Sequence, residues 1–153
     1  MSRDAAAAAE QPARWVGKVT KAFLLGGHAT FVVRTPLGKW EYVVKRPGRG
    51  WRGHSGVWFV WTSGHRYIGM LDRTGSFRTT WASEFDDGST PVQRLRAVFR
   101  QVWRGEPLPP GWSIETTGRC GACNLVLTTQ ESLDAGFGPV CLRKLKEVPP
   151  LAA

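Results

Sequence analysis

HATFVVRTPLGKWEYVVKR, residues 28–46, carries alternating apolar and polar side chains on both sides of Pro36-Leu37-Gly38. Alternation sends successive side chains to opposite faces of a strand, and Pro followed closely by Gly suits a tight reversal. Phe31 and Val33 mark one strand; Trp40, Tyr42 and Val44 mark the next, so the segment reads as a β-hairpin. VWFVWT (57–62) and RYIGMLD (66–72) read as two further strands paired across Ser63-Gly64-His65. SFRTTWAS (76–83) adds a short edge strand.

Helices flank these strands. Trp15, Val19, Ala22 and Phe23 fall at helical spacing in residues 14–25, and Gly26-Gly27 can stop a helix there. Residues 1–13, with a five-alanine run between Asp4 and Glu10, read as a flexible tail, too weakly apolar for a signal peptide. The glycine-rich segment 47–56 has no periodicity and reads as a loop. Thr90 is the expected N-cap of a second helix, with Pro91 at its first position. Val92, Leu95, Val98, Phe99, Val102 and Trp103 then recur at three-and-four spacing up to Arg104. Residues 105–116 form a linker or strand, and 117–148 a cysteine module. The order predicts an α+β protein: a small antiparallel sheet with two helices over 14–104, followed by a treble-clef-like zinc module.

The 153 residues suit one domain with a small appended module. Lys and Arg number 21 against 12 Asp and Glu, a net charge of +9, which favours a polyanionic partner. No apolar run approaches the roughly 20 residues that a membrane-spanning helix needs. Three cysteines in one cluster argue against a disulfide framework and fit a reducing, cytoplasmic setting.

Cys120 and Cys123 form a C-x-x-C pair, whose thiolates can approach one ion from the same side. Asn124 to Thr129 reads as a hairpin arm, and Gly136, Gly138 and Pro139 as a turn that delivers Cys141 to the start of a short helix. A helix N-terminus favours a thiolate electrostatically at Cys141. The set Cys120, Cys123 and Cys141 therefore points to a structural Zn2+ site. Structural zinc takes four ligands, and Glu131, Asp134 or one of His28, His54 and His65 are the candidates for the fourth. Two other readings stay open: three buried thiols without metal, and a catalytic ion with an open position.

GRCGACNLVLTTQESLDAGFGPVC resembles a C-terminal motif of uncharacterised phage and bacterial proteins, running G-R-C-x-x-C-G-R-x-L-T-x-P-x-S-I-x-x-G-x-G-P-x-C. Gly118, Arg119, Cys120, Cys123, Leu127, Thr128, Ser132, Gly136, Gly138, Pro139 and Cys141 match it. The resemblance extends more weakly over residues 14–146. It implies a phage or mobile-element origin and carries no established activity. Asn124 stands where the pattern has Gly, Gln130 where it has Pro, and Thr116 where a His often precedes the first cysteine.

The loop KRPGRGWRGH places Lys45, Arg46, Arg49 and Arg52 around Trp51. Arginines can contact phosphates, and a tryptophan can stack on an unpaired base. Arg96, Arg100 and Arg104 lie four residues apart on the second helix and form a positive stripe. Arg143, Lys144 and Lys146 add charge near the C-terminus. Trp40, Trp58, Trp61 and Trp103 read as core. No acid, base and nucleophile set is visible, so the expectation is a binding protein and not an enzyme. Nucleic acid is the leading partner, with a factor that docks on or inhibits a host or phage enzyme as the alternative.

Overall fold

A computed structural model describes residues 18–53 and 55–147. Its framework is a six-stranded antiparallel sheet in the order β5-β4-β3-β2-β1-β6. Strands β1 (His28–Thr35), β2 (Gly38–Lys45), β3 (Val57–Thr62), β4 (Tyr67–Asp72) and β5 (Phe77–Arg78) follow one another as a meander. Helix α2 (Thr90–Arg104) then crosses back, and β6 (Ser113–Thr116) pairs with the outer edge of β1. Two short helices close the chain, α3 (Gln130–Ala135) and α4 (Pro139–Glu147). The chain is thus α+β, as the element pattern implies.

Alternation decides which residues face inward. Phe31 and Val33 of β1, Tyr42 and Val44 of β2, and Trp58 and Val60 of β3 are buried on one face. Val92, Leu95, Val98 and Phe99 of α2 join them in a single core. The Phe77 and Phe99 rings meet edge to face at 5.3 Å, and Trp103 Nε1 donates to the Arg73 carbonyl at 2.7 Å. A register shift at Val60/Trp61 lets both Ile68 and Leu71 of β4 reach this core despite their odd spacing.

Several element boundaries differ from the sequence expectation. The first helix, α1 (Lys21–Leu24), is a single turn. Thr20 is extended and caps it, its hydroxyl accepting from Phe23 N at 3.2 Å, so the chain before it is not helical at Thr20. Residues 14–17 and the tail 1–13 lie outside the described residues. The edge strand shrinks from 76–83 to Phe77–Arg78, because Thr80 and Ser83 bond each other in a turn. The N-cap of α2 is Ser89 and not Thr90, which is already helical. Gly105 ends α2 in the left-handed region, as its position suggested.

One charged side chain lies inside. Arg94 is 5% exposed, between α2 and the sheet. Its guanidinium sits 3.6 Å from the Trp40 ring centroid, and Nη1 donates to Tyr42 Oη at 2.6 Å. Burial raises the Tyr42 pKa, while the bond and charge of Arg94 oppose that rise. A desolvated cation over an indole and a charge-assisted hydrogen bond each contribute about 1.5–3 kcal/mol. Arg94→Ala is therefore expected to lower unfolding stability by about 2–4 kcal/mol in urea titrations, with Arg94→Met losing less because it fills the space without a buried charge.

Candidate functional site

The cysteine module is built on a tight loop. Cys120 N donates to Leu125 O, Asn124 N to Cys120 O, and Leu127 N to Gly118 O, all within 2.8–2.9 Å. These bonds close the C-x-x-C knuckle between Arg119 and Val126, which form an isolated antiparallel bridge. The expected hairpin arm over 124–129 is no longer than this bridge. The chain instead turns into α3, which the sequence reading missed. Its signals are present: Thr129 accepts from Ser132 N at 3.1 Å as N-cap, and Gly136 is left-handed at the C-cap.

Asn124, the departure from the motif's Gly, has φ 64°. Glycine occupies that region freely, and Asn is among the few other residues that tolerate it. The exchange also adds a tie, since Thr30 Oγ1 donates to Asn124 Oδ1 at 3.1 Å, joining the knuckle to β1. A second junction lies at α1. His28 N donates to Gly121 O at 2.8 Å, and a Cβ on Gly121 would stand 2.8 Å from the Phe23 ring. Only glycine permits that approach.

The sulfur ligand atoms of Cys120, Cys123 and Cys141 all lie within 4.8 Å of one another. A tetrahedral ion bonded at about 2.3 Å holds two sulfurs about 3.8 Å apart. The cluster therefore suits a metal ion after a small contraction. Cys120 is buried, Cys141 half-buried and Cys123 exposed. Burial opposes ionisation of Cys120, but N–H groups of Gly138, Ala122 and Cys123 aimed at its sulfur outweigh this and lower its pKa. Burial, bonds to the Cys123 and Cys120 sulfurs, and their charge push Cys141 up to about 12. Position in the first turn of α4 does not by itself make Cys141 the easiest thiolate. Cys120 holds that role, because backbone donors surround it. A divalent cation reverses the repulsion among three thiolates.

Among the described residues, no imidazole or carboxylate joins this sulfur cluster. Asp134 instead accepts from Gln130 Nε2 at 2.9 Å, and Glu131 is exposed in the first turn of α3. His28 pairs with Lys45 in the sheet; burial and the Lys45 charge lower its pKa. His65 occupies the β3–β4 turn with φ 66°, and His54 lies outside the described residues.

The basic residues divide between two faces. Lys45 ends β2, Arg46 follows with its N–H on Gly27 O at 3.1 Å, and Arg49, Trp51 and Arg52 are exposed beyond it. Trp51 packs edge to face on Phe59 at 5.0 Å. Arg46 lines a recess of about 300 Å³ with Lys45, Phe59, Trp61 and His65, and a second of about 360 Å³ with Trp51 and Arg73. The helix stripe is elsewhere, on the element that covers the opposite sheet face. Arg96 is tied to Asp87 at 2.5 Å and to the Phe77 carbonyl, Arg104 lies 3.8 Å from Glu106, and Arg100 is exposed. The 45–52 loop and the helix stripe therefore do not form one surface.

Composition did not single out the residues beside Trp51. Trp61 is not core: it lies on the outer sheet face with Phe59 and Tyr67, and Trp81 is 98% exposed. The sidedness of VWFVWT carried this signal, once Trp58 and Val60 are taken as the inward residues.

A profile of a family of unknown function (DUF6011) matches residues 113–146. The match covers β6, the knuckle, α3 and most of α4, well under half the chain. No curated protein and no solved structure matches the chain. Among the described residues, no helix is long and apolar enough to cross a membrane.

Native mass spectrometry of the protein refolded with Zn2+ is expected to show one ion per chain. Cys141→Ser is expected to weaken binding beyond the about 10–100-fold typical of losing an outer-shell partner. Chelation is expected to lower the unfolding temperature of the wild type and leave that of the variant nearly unchanged.

Proposed function

We propose that this protein is a nucleic-acid-binding accessory factor of the cytoplasm whose C-terminal module is held by a structural Zn2+. Three thiolates from a knuckle and a helix are the donor set that zinc favours in structural sites, in a treble-clef-like order. The ion holds the module; the binding surface lies on the sheet. The resemblance of the C-terminal motif to phage and bacterial proteins fits an origin in a mobile element.

The observation that carries the binding reading is the convergence of Lys45, Arg46 and Trp51 at the outer sheet face. Arg46 lines both recesses beside the 45–52 loop, which supports reading it as a phosphate contact. Arg49 and Arg52 extend the charge into solvent. The overall charge of +9 supplies the long-range attraction. Arg100 is exposed on α2 and contributes to that field, Arg104 lies 3.8 Å from Glu106, and Arg96 is held by Asp87.

A protein partner is the second reading, favoured by Leu125, Val126 and Val140, three exposed aliphatic residues of the cysteine module. A docking enzyme would be retained after nuclease treatment, and Leu125→Ser would release it.

Fluorescence anisotropy with a labelled oligonucleotide tests the leading reading. Affinity is expected to fall steeply with salt, and Arg46→Ala to reduce the log–log salt slope by about 1, as loss of one phosphate contact does. Absence of binding at about 50 mM salt overturns the reading, because phosphate contacts are strongest there.

A further inference from the structure

The outer face of the sheet carries an aromatic groove of about 440 Å³. Trp51, Phe59, Trp61, Tyr67, Met70 and Trp81 line it. The rings touch in sequence: Trp51 on Phe59 at 5.0 Å, Phe59 on Tyr67 at 5.7 Å, and Trp61 on Tyr67 at 5.1 Å. This is a fixed platform. Trp81 has a defined place too, because its turn is pinned. Thr80 N donates to Ser83 Oγ at 2.8 Å, and Glu84 N donates to Tyr67 O at 2.9 Å.

Strand register places cations at both margins. Lys45 lies opposite Phe59, Phe59 opposite Met70, and Met70 opposite Arg78. One cross-strand row thus reads cation, aromatic, methionine, cation over about 14 Å, three strand spacings. The Arg78 charge acts on Tyr67, offsetting part of the rise that burial causes in its pKa. Lys45 and Arg78 belong to no ion pair among the described residues, whereas Arg34, Arg66, Arg96 and Arg104 each face a carboxylate.

We propose that this groove is a stacking platform for the unpaired bases of a single-stranded nucleic acid, with its phosphates running along the Lys45–Arg46 and Arg78 margins. The proposal rests on the nucleic-acid reading above and fixes its substrate class. A groove lined by aromatic rings and rimmed by cations outside any ion pair among the described residues complements a polyanion that carries flat apolar groups. Duplex DNA keeps its bases stacked inside and offers only phosphates to such a surface. An acidic peptide would satisfy the margins and leave the rings uncovered.

Trp81→Ala is the decisive variant, because a side chain this exposed contributes little to folding. The probes are a single strand of about 12 nucleotides, its duplex, and the same strand with abasic sugars, all bound to the full chain. The intact single strand is expected to bind most tightly and to quench tryptophan fluorescence. Trp81→Ala is expected to weaken it about 5- to 150-fold, the loss of one stacked base, without changing the salt slope. Arg46→Ala is expected to change the slope for all three probes. If the abasic strand or the duplex binds as tightly as the intact strand, or Trp81→Ala has no effect, the platform is refuted and phosphate binding by the loop stands. If none of the probes binds at low salt, both readings fall.

Discussion

The two-sidedness of a strand governs the molecule. Tyr42 and Val44 on β2, and Trp58 and Val60 on β3, must face α2 to bury their apolar surface. A one-residue slip would turn every one of them to solvent. Their neighbours therefore have no choice of face: Lys45, Phe59 and Trp61 project outward. Two hydrophobic rows in one strand usually mean a sheet covered on both sides. Here α2 covers one face, and the other keeps a row of rings open as a groove. Contiguous exposed apolar surfaces recur at interaction sites, which is the basis of the stacking platform proposed above.

The C-terminal module depends on the same sheet. Its own core consists of Cys120, Leu127, Leu133 and Phe137, too few residues to hold a fold of this size by burial alone. Three connections compensate. β6 extends the sheet at β1, Thr30 bonds Asn124, and Phe23 packs on Gly121 and within 6.4 Å of the Phe137 ring. A metal ion held by Cys120, Cys123 and Cys141, as proposed above, would add a fourth by drawing the knuckle and α4 together at one point. Gly26 shows how close the junction is, since a Cβ there would stand 2.7 Å from the Gly121 carbonyl oxygen.

Charge is distributed by role. Arg94 is consumed by the core, where Trp40 and Tyr42 replace the water it lost. Arg96 straps the 84–88 loop to α2 through Asp87, whose carboxyl is held below the usual range chiefly by that bond. The cations at the groove margins have no such duties among the described residues. A count of basic residues does not separate these classes, although they differ in what they can offer a phosphate.

The strands, the long helix and the cysteine set were legible because local periodicity and spacing encode them: alternation in residues 28–46, the three-and-four repeat after Pro91, and C-x-x-C followed by a turn and Cys141. The short helices were not, since α1 is one turn that ends at glycines and α3 is two turns signalled mainly by its caps. Tertiary structure alone decided that Arg94 is buried while Trp81 is exposed, the reverse of what their chemistry suggests. It also decided that Lys45, Phe59, Met70 and Arg78 share a row, because strand register joins residues far apart in the chain. Sequence sets the period of each element; only packing chooses which face meets the core and which stays open.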